Sequence, residues 1–210
     1  MSFIKKQGFF LVPFLALLIV AISFIQITTQ KELHLLLNSY HTESLDNIFY
    51  WITYLGDGRV FFFVPVLLVL TTLRKTIFVF SATAIASIAT QIIKRTMQFP
   101  RPSKVFEEGE LYIVNGMNLH QNFSFPSGHT TTAFALFFSL SILKPKYAAL
   151  FIVLAALSGF SRIYLSQHFL EDVVAGSLVG VCGVLIGLLI NKRLKSDKLD
   201  RNIFGFGDKL

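Results

Sequence analysis

Residues 147–190 read YAALFIVLAALSGFSRIYLSQHFLEDVVAGSLVGVCGVLIGLLI, two apolar runs joined by a short polar link. The runs, at about 147–163 and 172–190, each approach the ~20 apolar residues a helix needs to cross a hydrocarbon core. Arg162 closes the first run, and His168 and Asp172 lead into the second, so the chain crosses, presents these groups at one membrane face, and returns. Working outward, further apolar runs lie at about 9–27, 60–73, 77–93 and 129–143. The expectation is an all-α polytopic membrane protein, a six-transmembrane-helix bundle. The run at 60–73 is short and begins earlier, around 48–55, with Gly56-Asp57-Gly58 as an interruption. Residues 36–55 mix apolar side chains with Glu43, Asp46 and Trp51, which suits an interfacial helix.

Composition agrees with a membrane setting. Of 210 residues, 53% are hydrophobic and only 15% charged, a surface a soluble domain of this size has difficulty covering. The net charge of +7 suggests nucleic acid, but the basic residues fall between apolar runs instead of along one stripe, so no nucleic-acid partner is expected. The single cysteine, Cys182, sits inside an apolar run and reads as a buried, inert small residue. No repeat or second soluble domain is visible, so residues 1–210 read as one membrane-embedded domain with a basic tail at 191–210. The run after Lys5 and Lys6 is long for a cleaved leader and reads as a retained first span, with cleavage the alternative.

With six spans, one side holds Lys5, Lys6, Arg74, Lys75, Lys144, Lys146 and the tail cations, among them Lys195, Arg201 and Lys209. The positive-inside rule places that side, and both termini, in the cytoplasm. Span parity then gathers Lys94, Arg101, Ser127, Gly128, His129, Arg162, His168 and Asp172 at the outer membrane–water interface. The residue types fit a phosphate dianion: two guanidinium forks and an ammonium surround it. Pro126-Ser127-Gly128 reads as a helix start whose free N–H groups and dipole face the same anion, and Gly128 permits close backbone approach. His168 and Asp172 are four apart and read as neighbours on one helical face. Asp172 then fixes one imidazole nitrogen while the other attacks phosphorus, and His129 serves as general acid.

The blocks Lys94-x6-Arg101-Pro102, Pro126-Ser127-Gly128-His129 and Ser161-Arg162-x5-His168-x3-Asp172 resemble the three signatures of the type-2 phosphatidic acid phosphatase superfamily. That superfamily also includes vanadium haloperoxidases and bacterial acid phosphatases. The resemblance covers about residues 56–190. It implies a lipid phosphatase that works without a metal or other cofactor, through a phosphohistidine on His168, with His129 protonating the leaving oxygen. Lys94, Arg101, Ser127, Gly128 and Arg162 are then the substrate-phosphate-binding groups. The implied partners are the membrane and a lipid phosphate: phosphatidate, phosphatidylglycerol phosphate, undecaprenyl pyrophosphate or a lipid A phosphate. In a bacterial host the site faces the periplasmic or extracytoplasmic side of the inner membrane. A phosphotransferase using the same intermediate, and a membrane protein that only binds phospholipid, are the competing readings.

Other polar residues read more plainly. His34, His41 and His120 lie in outer loops without ligand-spaced partners and read as solvated. Ser161 reads as a packing or hydrogen-bonding residue. Gly176, Gly180, Gly183 and Gly187 form a small-residue stripe suited to close packing within the bundle, with a homodimer the alternative use. The loop at 103–125 is expected to shape headgroup choice.

Overall fold

The computed structural model describes residues 3–194 and 196–200, and among these it is helical, with no strand. Lys195, Arg201 and Lys209 of the tail lie outside the described residues. Four stretches are long and apolar enough to cross a membrane: Gln7–Ile27, Leu73–Val105, Pro145–Tyr164 and Leu170–Arg193. They are built on helices α1 (Phe3–Ile27), α5 (Leu73–Met97), α8 (Ala148–Tyr164) and α9 (Leu170–Arg193). Between α1 and α5 the chain forms α2 (Gln30–Asn38), α3 (Glu43–Ile52), a 3-10 turn Thr53–Gly56 and α4 (Gly58–Val69). The α3 and α4 segments bend by 42° at the break, and counted together they supply a fifth candidate span. The bend falls at the Gly56-Asp57-Gly58 interruption, where the Asp57 side chain caps α4 by accepting the Arg59 N–H at 2.8 Å.

Helix α7 (Gly128–Leu143), preceded by the short α6 (Pro102–Val105), explains why length and composition give four or five spans instead of six. Its 16 residues extend only about 24 Å, less than a typical bilayer core. Residues 130–139 are all buried, so α7 is sheathed by its neighbours and does not itself meet lipid along most of its length. Helices α5, α8 and α9 surround it, and α1 leans on one flank through Phe10 on Phe138 (4.8 Å between ring centres) and Phe14 on Phe134 (5.5 Å).

The glycine stripe does what its spacing suggests within the bundle. A Cβ on Gly180 would lie 2.7 Å from the Thr131 carbonyl oxygen of α7, and one on Gly183 2.6 Å from the Ala86 Cβ of α5. Without side chains there, α9 approaches both neighbours at backbone distance. Cys182 is a correction: it lies beside the inward-facing glycines and is exposed on the outer surface of α9.

Residues 36–55, read as one interfacial helix, hold the end of α2, all of α3 and most of the 3-10 turn; each of the two helices is capped by a threonine, Thr29 accepting the Glu32 N–H and Thr42 the Leu45 N–H. These helices fold back onto the α8–α9 turn, which overturns the solvated reading of two histidines. His34 is 2% exposed, stacked on Phe106 and edge-on to Phe169, with Nε2 3.3 Å from the Ser166 hydroxyl. His41 lies between Tyr112 and Tyr164, its Nδ1 2.7 Å from Asp46. The buried Asp46 carboxylate also accepts from the hydroxyls of Tyr164 (2.6 Å) and Tyr112 (2.8 Å), the partners that burial of a charge demands. His120 is exposed, as expected.

Candidate active site

Two helix starts meet at the site end of the bundle. Ser127 caps α7: its hydroxyl accepts from the Thr130 N–H (3.4 Å) and the Thr130 hydroxyl (2.8 Å). At α9 the carboxylate of Asp172 accepts the Phe169 N–H at 2.9 Å, and the Asp172 carbonyl accepts the Ser127 N–H at 2.9 Å. The two starts are thereby stitched together, and Gly176, one turn below Asp172, lets the backbones close. In the first turn of α7 the Ser127 hydroxyl and N–H are both engaged. The N–H groups of Gly128 and His129, which a helix start leaves over, remain for an anion.

His168 is 1% exposed and lies in the turn before α9, so it does not share a helical face with Asp172. The two meet because Asp172 caps the helix back onto that turn. The Arg162 carbonyl accepts the N–H groups of Gln167 (2.9 Å) and His168 (3.1 Å), which tightens the turn, and Ser166 takes a left-handed φ of 51°. His168 Nδ1 is 3.3 Å from Asp172 Oδ2. Ser124, fully buried, donates to the same oxygen at 2.5 Å and stands 3.4 Å from His168 Nδ1. Burial, and then the cations Arg101, Arg162 and Lys94, hold the proton affinity of His168 well below the usual range. The imidazole is therefore neutral across physiological pH, the form in which its second nitrogen has a free lone pair.

The three cations converge around it. The Lys94 ammonium donates to the carbonyls of Phe123 (2.6 Å) and Ser124 (3.3 Å). Arg101 donates to the Asn122 carbonyl (3.0 Å) and to the Gln167 carbonyl (3.2 Å) and side-chain oxygen (3.3 Å). Arg162 is 5% exposed; one guanidinium nitrogen donates to the Thr53 hydroxyl, while Nε has no partner. His129, half-buried, faces a cavity of about 470 Å³ shared with Arg101, Arg162, Thr53 and Gln167. A second cavity of about 410 Å³ adjoins Lys94 and Gln91, and Arg101 and His120 border both.

Lys94, Arg101, Ser127, Gly128, His129, Arg162, His168 and Asp172 therefore all come to this end of the bundle. Ser161 packs as expected, its hydroxyl donating to the Ser158 carbonyl at 2.7 Å. Sequence reasoning missed Ser124 and Thr53. Both are hydroxyls brought in by long-range folding, and only the place of Ser124 just ahead of the Pro126–His129 block hinted at it.

A helical protein with four or five candidate membrane spans thus carries a buried histidine–carboxylate pair at one end of its bundle, ringed by cations of the kind that suit an anion. The profile of the PAP2 superfamily matches residues 75–195, and the chain belongs to that superfamily. It is 31% identical over 104 residues to a lipid A 1-phosphatase of Rhizobium etli, a match covering 49% of this chain and 44% of that protein. With undecaprenyl-diphosphatase BcrC of Bacillus subtilis it shares 30% identity over 158 residues, 72% of this chain and 76% of that one. The crystal structure of LpxE from Aquifex aeolicus superposes with a TM-score of 0.66 at 29% identity, covering 75% of this chain and 93% of that one. The match spans less than half the length of the Rhizobium relative.

Proposed function

We propose that the chain is an integral membrane lipid phosphatase that removes phosphate through a phosphohistidine on His168. The observation that carries this reading is the buried His168 imidazole, with Nδ1 3.3 Å from Asp172 and Lys94, Arg101 and Arg162 around it. Binding alone needs the cations but not a nucleophile with its own carboxylate partner.

In the first step a bond forms between the free nitrogen of His168 and phosphorus, and the bond from phosphorus to the leaving oxygen breaks. Asp172 stabilises the imidazolium that develops, and His129 gives its proton to the departing oxygen. The three cations and the N–H groups of Gly128 and His129 take up charge on the equatorial oxygens. In the second step water attacks phosphorus, His129 accepts its proton, the nitrogen–phosphorus bond breaks and phosphate leaves. Five donor groups already serve the role a metal has in other phosphoryl-transfer sites, so the mechanism invokes no cofactor.

The same reading takes residues 1–210 as one unit with α7 as a sixth crossing, both termini cytoplasmic and the site on the outer side. The cation surplus at the opposite end, including Arg74, Lys75, Lys144 and Lys146, supports that orientation. Substrates come from bacterial lipid phosphates: the relatives named for lipid A and undecaprenyl diphosphate favour a glycolipid or polyprenyl headgroup. Incubation with lipid labelled in its terminal phosphate, followed by alkaline denaturation, tests the mechanism. Label on His168, absent from His168→Ala and chased by water, is the expected result; turnover without labelled protein would overturn the covalent route.

A further inference from the structure

The segment joining α3 to α4 lies outside the residues matched by the superfamily profile, yet it reaches the catalytic end of the bundle. The 3-10 turn Thr53–Gly56 packs on α7 and α8 at backbone distance. A Cβ on Gly56 would collide with the His129 carbonyl and lie 2.7 Å from the Ser158 hydroxyl. Gly56 is therefore a close-approach position, and it fixes the turn against the helix start that carries His129. Thr53, three residues earlier and 5% exposed, accepts a hydrogen bond from the Arg162 guanidinium.

Arg162 is otherwise poorly supported. No carboxylate forms an ion pair with it among the described residues, and its Nε is buried without a partner. A guanidinium has five donors in a fixed plane, so anchoring one end sets the direction of the others. With one end held by Thr53, Arg162 borders the cavity that His129 also faces. Its carbonyl meanwhile accepts the His168 N–H, so Arg162 ties the nucleophile's turn to the phosphate cavity.

We infer that Thr53 is a positioning residue of the phosphate site: its hydroxyl orients the Arg162 guanidinium toward the bound phosphoryl group, from a segment beyond the three sequence blocks. The inference rests on the phosphatase reading above. Thr53 touches no reacting atom and acts through Arg162.

The test uses full-length protein in detergent, with orthovanadate as the phosphate probe and binding read by calorimetry beside the melting temperature. Thr53→Val, which keeps the shape and removes the acceptor, weakens orthovanadate binding by roughly 10- to 100-fold. Thr53→Ser restores binding to within about threefold, because it keeps the hydroxyl. In an Arg162→Lys background Thr53→Val adds less than about twofold, since residues acting as a unit are not additive. If Thr53→Val does not fold, Thr53→Ala against Thr53→Ser makes the same comparison. Wild-type affinity in the folded Val or Ala variant, or equal loss in the Ser variant, would overturn the inference while leaving the phosphatase reading intact. Wild-type protein that binds no orthovanadate would overturn the phosphate site itself.

Discussion

Substituting Gly176 by alanine probes the joint between the two helix starts without touching a chemical group. Its added methyl would lie 2.6 Å from the Ser127 carbonyl oxygen, 3.2 Å from the Thr130 Cβ and 3.3 Å from the Thr131 hydroxyl. The nearest obstacle is backbone, so no rotamer change relieves it. To reach ordinary contact at 3.4 Å, α7 and α9 must part by about 0.8 Å at this level. One turn above, that separation stretches the 2.9 Å bond from the Ser127 N–H to the Asp172 carbonyl and draws the Asp172 carboxylate away from Ser124 and His168. Overpacking of this kind costs about 1–3 kcal/mol of stability. A misplacement near 1 Å in a catalytic group costs on the order of 100-fold in rate. The assay is phosphate release from a lipid phosphate by purified Gly176→Ala, beside Gly8→Ala, where an added Cβ meets nothing within 4 Å. The expected outcome is a folded protein with turnover lowered by roughly one to two orders of magnitude, and a Gly8→Ala control at wild-type rate. Wild-type turnover in folded Gly176→Ala would refute the claim that this glycine sets the site geometry.

Three further outcomes follow from the same contacts. Ser124→Ala removes the 2.5 Å donor to Asp172 and is expected to lower turnover about tenfold at little cost in substrate affinity, read as a kcat/KM split. Asp172→Asn leaves His168 without its carboxylate and is expected to lower turnover by about 100- to 10,000-fold while orthovanadate still binds. Burial lowers the His34 pKa from 6.5 to about 4, so its neutral form favours the fold above pH 6.5 and that stability is lost as pH falls toward 4. The loss approaches about 3 kcal/mol as an upper bound, and His34→Gln is expected to flatten the fall in melting temperature over that window.

The spans were legible because lipid demands long uninterrupted apolar runs, and 147–190 shows two of them with their polar link. Helix α7 was legible as a short apolar run at 129–143 but not as the central helix, because hydropathy does not distinguish lipid contact from helix contact. Burial of residues 130–139 by neighbouring helices makes the difference. The site was legible where residues close in sequence share a helix end, as with Ser127 to His129. The partnership of His168 and Asp172 was foreseen for the wrong local reason, since a capping turn and not a shared helical face brings them together. His34, Thr53 and Ser124 were not legible, because each meets its partner through the folding of α2, the 3-10 turn and the 103–125 loop onto the end of α8 and the start of α9, and the burial of His41 between Tyr112 and Tyr164 is equally long-range. No periodicity records such contacts.

The most direct test of the central claim is phosphate release by detergent-purified protein in EDTA, wild type beside His168→Ala. The substrates are phosphatidate, phosphatidylglycerol phosphate, undecaprenyl pyrophosphate and lipid A 1-phosphate. The account predicts metal-independent release from at least one of the four, abolished in the variant. Folded wild-type protein that binds these lipids and releases phosphate from none of them would contradict it.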